Sequence, residues 1–171
     1  MQPLRFPVTV TMQRVALANR WVDERWEAFA VEVDGKAQSP MLAAQHADAG
    51  TARWRCRGLE VELHPVEAEG YYLNLSAQTP KVFVLWRMAE PGDDAEPRAR
   101  PLIVTVSYNE AARFLDAGEH VDTVPMPAAL LAAMESFVAK HYRPEPRKKA
   151  KRNELYEGDE RQRDAAGEKR G

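Results

Sequence analysis

Cysteine is nearly absent from this chain of 171 residues, which holds only Cys56. A single cysteine excludes an internal disulfide framework and is typical of proteins from a reducing compartment. Apolar runs are also short, and none reaches the roughly 20 residues that a membrane-spanning helix needs. The sequence does not begin with a basic segment followed by an apolar stretch, as a secretory signal does. We therefore expect a cytoplasmic protein that is not inserted in a membrane.

Sequence motifs of catalysis are missing as well. The chain has no phosphate-binding loop, no dinucleotide-binding glycine pattern, no nucleophile elbow and no His-Glu-x-x-His zinc motif. None of the four histidines, His46, His64, His120 and His141, has a second histidine at a metal-ligand spacing. These absences favour a protein without catalytic activity, and we expect neither a cofactor nor a metal site.

Two groups of residues could nevertheless carry chemistry. Glu60, Glu62 and His64 alternate along a predicted strand and share one face, either as a metal or acid–base cluster or as a solvated strand face. Cys56 has an arginine on each side, which would activate a thiol, but on a strand both arginines point to the opposite face. The solvated face and a buried structural thiol are the favoured interpretations.

Charge is unevenly distributed along the chain, whose formal net charge is −2. Residues 143–153 are rich in Lys and Arg, whereas residues 1–142 carry an excess of acidic side chains. An acidic body disfavours nucleic acid as a partner, because phosphates need a positive groove. Residues 143–171 contain few bulky apolar side chains, so we expect a disordered tail of basic and mixed charge. The basic run would act as an electrostatic tether for an acidic partner.

β-Branched and aromatic residues alternate with polar ones over much of the first 106 residues. This pattern predicts seven short strands at hairpin spacing. We place these strands at residues 8–15, 26–33, 51–57, 59–64, 71–75, 82–86 and 102–106. Gly58 separates the third strand from the fourth. The Ala-rich residues 36–50 predict only a loop or a short helix.

Two helices follow the strands. Ser107-Tyr-Asn-Glu110 matches a capping box, with a hydroxyl at the N-cap and a carboxylate three residues later, and Gly118 marks the C-terminal stop. After a link at residues 121–126, residues 127–142 carry the clearest apolar stripe in the chain. Its members lie at helical spacing: Leu130, Leu131, Met134, Phe137 and Val138. Such a helix must bury this stripe against the strands that precede it.

Strands at hairpin spacing followed by helices predict an α+β fold. We expect a mostly antiparallel seven-stranded sheet or a partly open barrel, closed by the C-terminal helices. The order of the elements is that of a pleckstrin-homology-like barrel. Residues 1–142 would form this single domain, and residues 143–171 the tail.

An ordered set of short phrases runs through the chain. The phrases are Leu17-Ala-Asn-Arg-Trp21, Trp26-Glu27, Glu69-Gly-Tyr-Tyr-Leu-Asn-Leu75, Pro80-Lys-Val-Phe-Val84, Val104-Thr-Val-Ser-Tyr108, Asp116-Ala-Gly118, Val124-Pro-Met-Pro127 and Phe137-Val-Ala-Lys-His141. Taken together over residues 7–152, they resemble the bacterial domain-of-unknown-function family three-three-zero-five. Members of that family are typically encoded beside molybdenum-dependent formate dehydrogenases. The resemblance implies a non-catalytic accessory or assembly factor for a cytoplasmic molybdenum/iron–sulfur formate dehydrogenase, and it carries over no catalytic residues.

Exposed aromatic side chains beside charges make good anchors in protein interfaces. We expect the partner to be a protein, such as a formate dehydrogenase subunit. The residues that we assign to the partner surface are Asn19, Arg20, Trp21, Tyr71, Tyr72, Tyr108, His120, Arg147, Lys148 and Lys149. The competing interpretation is that these aromatics close turns and fill the core. Two other functions stay open, namely a nucleic-acid-binding module that uses the barrel and the basic tail, and a small-ligand-binding barrel.

Overall fold

A computed structural model describes residues 2–48 and 50–144 of the chain. These residues form strands, helices and one short 3-10 turn. In chain order the elements are β1 (Leu4–Ala16), β2 (Glu24–Val33), β3 (Met41–Asp48), β4 (Thr51–Leu63), the 3-10 turn (Pro65–Glu67), α1 (Ala68–Leu75), β5 (Lys81–Met88), β6 (Ala99–Thr105), α2 (Tyr108–Asp116), β7 (His120–Pro125) and α3 (Ala128–His141). The predicted disordered tail comprises residues 143–171. Its residues from 145 onwards lie outside the described part of the chain.

The strands divide into two antiparallel sheets, and the predicted α+β class is confirmed. The first sheet has the order β2-β1-β4-β3, and the second has the order β6-β5-β7. β1 pairs with β2 on one side and with β4 on the other. β4 lies against β6 and β2 lies against β7, so the two sheets adjoin along two junctions.

Apolar side chains from both sheets fill the space between them. Successive side chains of β4 point to opposite faces of the sheet. Ala52, Trp54 and Cys56 are therefore buried, while the arginines between them are only partly covered. β5 is buried on both faces, because its second face lies under α2. The continuous apolar run Val82–Trp86 follows from this double burial.

α2 and α3 begin where the sequence predicts. Ser107 Oγ accepts a hydrogen bond from the Glu110 amide at 3.1 Å, which caps α2. Pro127 precedes α3, whose Leu130, Met134 and Phe137 side chains are buried in the core between the sheets. The C-terminal helix therefore covers the sheets as predicted.

A carboxylate joins the two sheets at the junction of β2 and β7. Asp122 Oδ2, on β7, accepts hydrogen bonds from the Ala28 amide of β2 and from Trp86 Nε1 of β5, both at 2.8 Å. The Ala28 amide lies at the sheet edge, and this side chain gives it the acceptor that a further strand would otherwise supply. Beyond this bond the junction opens into an apolar cavity of about 610 Å³ near Phe29 and Pro125.

The strand predicted at residues 71–75 is wrong, because these residues belong to α1. The buried Asn74 side chain explains the helix: its Nδ2 donates to the carbonyls of Lys81 (2.7 Å) and Val106 (2.9 Å). Gly70 brings α1 close to α2, since a Cβ atom there would lie 2.1 Å from Ser107 Oγ. The contacts with Val106 and Ser107 join residues far apart in the chain, so the local alternation of apolar residues gave the wrong period.

Three other predicted boundaries are also wrong. Residues 41–48 form the edge strand β3 instead of a loop or helix, and residues 120–125 form β7 instead of a link. The two strands predicted on either side of Gly58 are one strand, β4, in which the register with β1 shifts beside this glycine. A β-bulge accommodates Gly58, whose backbone lies in the left-handed region, and β4 pairs with β1 on both sides of the bulge.

The predicted single seven-stranded sheet is not confirmed, because the described strands separate into antiparallel sheets of four and three and do not close into a barrel. The pleckstrin-homology-like arrangement stays a prediction from the order of the elements. None of the helices in the described part of the chain is long and apolar enough to cross a membrane.

Candidate protein-binding groove between the two sheets

The junction between β4 and β6 is open, because β4 continues beyond its partner β3. β3 pairs with β4 only over residues 51–57. Pro40, just before β3, lies on Gly58, where a Cβ atom would sit 2.6 Å from the Pro40 Cα atom. Gly58 also has a φ of 92°, in the left-handed region that favours glycine. Residues 58–63 consequently have no described strand paired with them on the side away from β1, although β6 lies nearby.

The register with β1 shows where the free backbone groups of β4 point. Pro7 pairs with Glu60, and the Pro7 carbonyl accepts from the Asp34 amide at 2.7 Å on the β2 side. In an antiparallel pair, opposed residues either bond to each other or both point outwards. Glu60 therefore directs its amide and carbonyl away from β1, towards the open junction. Glu62 has the same orientation, but its carbonyl already accepts from the Tyr71 hydroxyl at 3.3 Å. β6 is itself an edge strand, so two backbone edges meet at this junction.

One part of the junction is an apolar cavity of about 660 Å³. Three of its lining side chains are apolar and largely exposed: Met41 (48%), Leu42 (42%) and Leu102 (45%). Arg57 and Arg100 line the same cavity. Arg57 donates to the neutral Gln38 side chain at 3.0 Å, whereas Arg100 pairs with Asp93 at 2.6 Å. Exposed apolar groups with charges at their rim are typical of protein interaction sites.

The other part is an acidic cavity of about 340 Å³. The carboxylates of Glu60, Glu62 and Glu110 line it, together with the imidazole of His64. His64 Nε2 and Glu62 Oε2 are 2.8 Å apart. Arg5 of β1 balances the negative charge only in part, because its nitrogens lie 3.8 Å from Glu60 and 3.5 Å from Glu62.

The two cavities share Gly58, Leu59 and Leu102 as lining residues, so they form one continuous depression. We call its two parts the acidic lobe and the apolar lobe, and the whole the seam groove. The groove follows β4 from the apolar lobe at Arg57 to the acidic lobe at His64, just before the 3-10 turn and α1.

Glu110 is the half-buried carboxylate of the acidic lobe. Burial raises the pKa of this carboxyl above its ordinary value, and the neighbouring Glu67 raises the pKa further. Glu67 is held in place because it accepts hydrogen bonds from Ser107 Oγ and from Arg113, each at 2.8 Å. A cation in the acidic lobe would stabilise the charged form of Glu110, which the protein surroundings disfavour.

Cys56 lies beneath the apolar lobe with only 1% of its surface exposed. Burial raises the pKa of the thiol to about 12, although Arg100 lowers the pKa slightly. The thiol is therefore protonated at neutral pH, and the interpretation of Cys56 as a buried structural thiol is confirmed.

The Glu60, Glu62 and His64 side chains have the contacts of a solvated strand face. They bond to one another and to Arg5 on the neighbouring strand, and their side chains are about one-third to two-fifths exposed. Within residues 2–48 and 50–144, no three or more His, Cys, Asp or Glu side chains are grouped so that they could hold a metal ion.

The predicted partner residues in the described part of the chain are dispersed, and none of them lines the seam groove. Trp21 is 85% exposed in the loop between β1 and β2, at the opposite end of β1 from the groove. Asn19 Oδ1 accepts from the Trp21 amide at 3.0 Å and shapes this loop, in which Arg20 is also exposed. Their role in partner binding stays a prediction.

Four other predicted partner residues are aromatic, and one of them is not at the surface. Tyr71 is 1% exposed, so the expectation of an exposed ring there is wrong; its hydroxyl bonds the His64 amide (2.9 Å), and burial raises its pKa to about 12. The rings of the other three are each packed against a neighbour: Tyr72 on Tyr142, Tyr108 on Phe83 and His120 on Trp86. Arg147, Lys148 and Lys149 lie outside the described residues.

Sequence reasoning did not find the seam groove. One signal was available, since a glycine inside a strand pattern marks a bulge or a close backbone approach, and Gly58 is both. The sequence pattern alone predicts a break between two strands at this glycine. The apolar lobe had no comparable signal, because the exposure of Met41, Leu42 and Leu102 depends on how two sheets meet.

Comparisons with known proteins place the chain in a family. No curated protein and no solved structure matches it. A family model does match over residues 7–151, and its description is "Protein of unknown function (DUF3305)". The matched range covers most of the chain and nearly coincides with the resemblance seen in its short phrases. The chain therefore belongs to the DUF3305 family.

Proposed function

We propose that this chain is a non-catalytic accessory or assembly factor for a cytoplasmic molybdenum/iron–sulfur formate dehydrogenase, and that it binds a segment of its protein partner in the seam groove. The observation that carries the binding role is the groove itself. It combines exposed apolar side chains, a free backbone edge and charges of both signs at its two ends.

These three features suit an extended polypeptide segment. The amide and carbonyl of Glu60 and the amide of Glu62 would hydrogen-bond its backbone, as when a peptide adds to a sheet edge. The exposed side chains of Leu42 and Leu102 would bury apolar side chains of the segment, and this burial contributes roughly 25 cal/mol per Å² of apolar surface. The acidic lobe would then select a segment with a basic residue at one end.

The identity of the partner rests on the family. The resemblance to family members that are encoded beside formate dehydrogenases supports a subunit of that enzyme as the partner. An assembly factor must hold its client only transiently, and a groove that binds a short segment suits this requirement better than a large interface does.

The test is affinity purification of the tagged chain from its native host under anaerobic conditions, read by mass spectrometry. Wild type should recover formate dehydrogenase subunits. Leu102→Asp places a charge in the apolar lobe and should abolish recovery, whereas Leu115→Asp, at an exposed leucine of α2 outside the groove, should not. Wild type that recovers only itself would contradict the partner, and equal recovery by both variants would contradict the groove.

A small cationic ligand is the second candidate, because the acidic lobe brings together Glu60, Glu62 and Glu110 in a cavity of about 340 Å³. It would be detected by mass spectrometry of the native protein. The nucleic-acid-binding alternative depends on the basic residues beyond residue 144, and a steep fall of oligonucleotide affinity with salt would favour it.

A further inference from the structure

We propose that residues 147–160 of this chain dock in its own seam groove. The proposal uses the groove of the proposed function but requires no partner, so it can be tested on the isolated protein. In the free protein the segment would occupy the surface that a partner must reach.

The order of charges along the segment mirrors the order along the groove. Residues 147–152 hold five cations, residues 155 and 156 are Leu and Tyr, and residues 157–160 hold three acids. The groove runs in the matching sense: the acidic lobe, then Leu102, then Arg57 and Arg100. Leu42 lies beyond Arg57, and the Glu96 carboxylate belongs to the same lining. Each zone of the segment thus has a complementary zone in the groove, in the same order.

The end of α3 sets the direction of docking. Tyr142, just after α3, stacks on Tyr72 of α1 with ring centroids 4.4 Å apart. The adjacent Tyr71 is buried, and its hydroxyl bonds the backbone of two residues that line the acidic lobe: the His64 amide at 2.9 Å and the Glu62 carbonyl at 3.3 Å. The chain therefore leaves α3 next to α1, which is bonded to the backbone of the acidic lobe. The basic zone, which comes first in the segment, would thus meet the acidic zone first.

Tethering makes such docking effective although each contact is weak. Exposed ion pairs contribute little individually. A segment that is covalently joined a few residues from its site has an effective concentration of the order of millimolar, which a free peptide would not reach. The docked segment would be readily displaced by a partner with better contacts, and it would shield the free edge of β4 from unwanted strand pairing.

Paramagnetic relaxation tests the proposal on the full-length protein. A nitroxide is attached at Ala150→Cys, and the buried Cys56, with its raised pKa, does not compete for the label. Amide signals of residues 59–63 and 102–105 should lose more intensity than those of the rest of the protein. Uniform loss, or loss concentrated elsewhere, would overturn the proposal.

Charge reversal and charge exchange sharpen the test. Glu60→Lys/Glu62→Lys should weaken docking about tenfold, since several exposed charge pairs change from attraction to repulsion. Lys148→Glu/Lys149→Glu should also weaken docking, and it leaves the folded domain unchanged. Combining both pairs of substitutions should restore the paramagnetic broadening, that is, the loss of amide signal intensity at residues 59–63 and 102–105. Asp116→Lys/Glu135→Lys reverses two exposed acids outside the groove and should leave the broadening unchanged.

Failure of docking is distinguishable from failure of the proposed function. If the segment docks, Lys148→Glu/Lys149→Glu should increase recovery of the partner, because the groove is then unoccupied. If the broadening is absent while wild type still recovers formate dehydrogenase, only the docking of residues 147–160 is overturned.

Discussion

The two junctions between the sheets are built differently. At the β2–β7 junction, Asp122 accepts from the backbone of one sheet and from an indole of the other, so a single carboxylate joins both. At the β4–β6 junction, none of the hydrogen bonds found within residues 2–48 and 50–144 joins the two strands. A side-chain acceptor thus joins the sheets at the β2–β7 junction, whereas the backbone edges of β4 and β6 meet without such a bond.

The open junction carries the features by which proteins protect a free strand edge. β4 has acidic side chains at Glu60 and Glu62 and a bulge at Gly58, and β6 has Pro101. Edge charges, bulges and prolines all discourage the pairing of one copy with another. Exposed edges without such features promote aggregation, so the groove is compatible with a partner of restricted sequence but not with indiscriminate strand addition.

Removal of the carboxylate at the β2–β7 junction should have the largest effect. Asp122→Ala leaves the Ala28 amide and the Trp86 indole N–H without their acceptor and should lower the free energy of unfolding by about 3 kcal/mol. Urea unfolding measures this loss. Asp122→Asn keeps an oxygen acceptor and should lose distinctly less; equal losses would show that hydrogen bonding is not what joins the sheets here.

Gly58→Ala should be the most costly change at the open junction. The new Cβ atom would meet the Pro40 backbone in addition to the strain of a φ of 92°, so we expect a loss of about 2 kcal/mol. Gly92→Ala is the matched control, because Gly92 has a φ of 95° but nothing within 4 Å of the new atom. If Gly58→Ala lowers the free energy of unfolding no more than Gly92→Ala does, the close approach of Pro40 to Gly58 does not explain the groove.

Glu110 should make the stability of the open junction depend on pH. Its pKa is raised in the folded protein by burial and then by Glu67, so the folded chain binds the proton more tightly than the unfolded chain does. Its contribution is therefore most favourable when the carboxyl is protonated, and stability falls as the pH rises from the ordinary Glu pKa through the raised one. Glu110→Gln should abolish this fall in pH-dependent urea unfolding. Glu135→Gln, on the exposed side of α3, should retain it.

Reversal of the exposed charges in the acidic lobe should have the smallest effect on stability. Glu60→Lys/Glu62→Lys breaks the long, exposed ion pairs with Arg5 and the exposed contact between Glu62 and His64, so the free energy of unfolding should change by about 0.5 kcal/mol or less. A loss as large as that of Gly58→Ala would mean that these carboxylates hold the junction together instead of serving a ligand.

Local signals in the sequence predicted the elements whose stabilising contacts are local. The cap of α2 needs only Ser107 and the amide three residues later, and the apolar stripe of α3 is complete within one helix. β5 could be predicted as buried on both faces because its apolar run is continuous. Such features require no knowledge of which elements meet.

The remaining errors share a cause, which is that the deciding contact lies elsewhere in the chain. Asn74 belongs to a helix that is fixed by the carbonyls of Lys81 and Val106, and β3 is a strand because β4 pairs with it. The groove is one step further removed, since it depends on how two sheets adjoin. Pattern reasoning about one segment at a time cannot reach that level.

The pairing of β1 with β4 also has a kinetic consequence. Leu4 pairs with Leu63, so the first sheet cannot be completed until most of its residues are available and a long loop has closed. The β1–β2 and β3–β4 hairpins can form early from neighbouring residues, whereas their union is non-local. Folds dominated by such pairings typically fold in milliseconds to seconds. During that interval both edges of the β1–β4 contact are exposed, and a chain emerging from the ribosome would carry an unprotected hairpin until β4 has been synthesised.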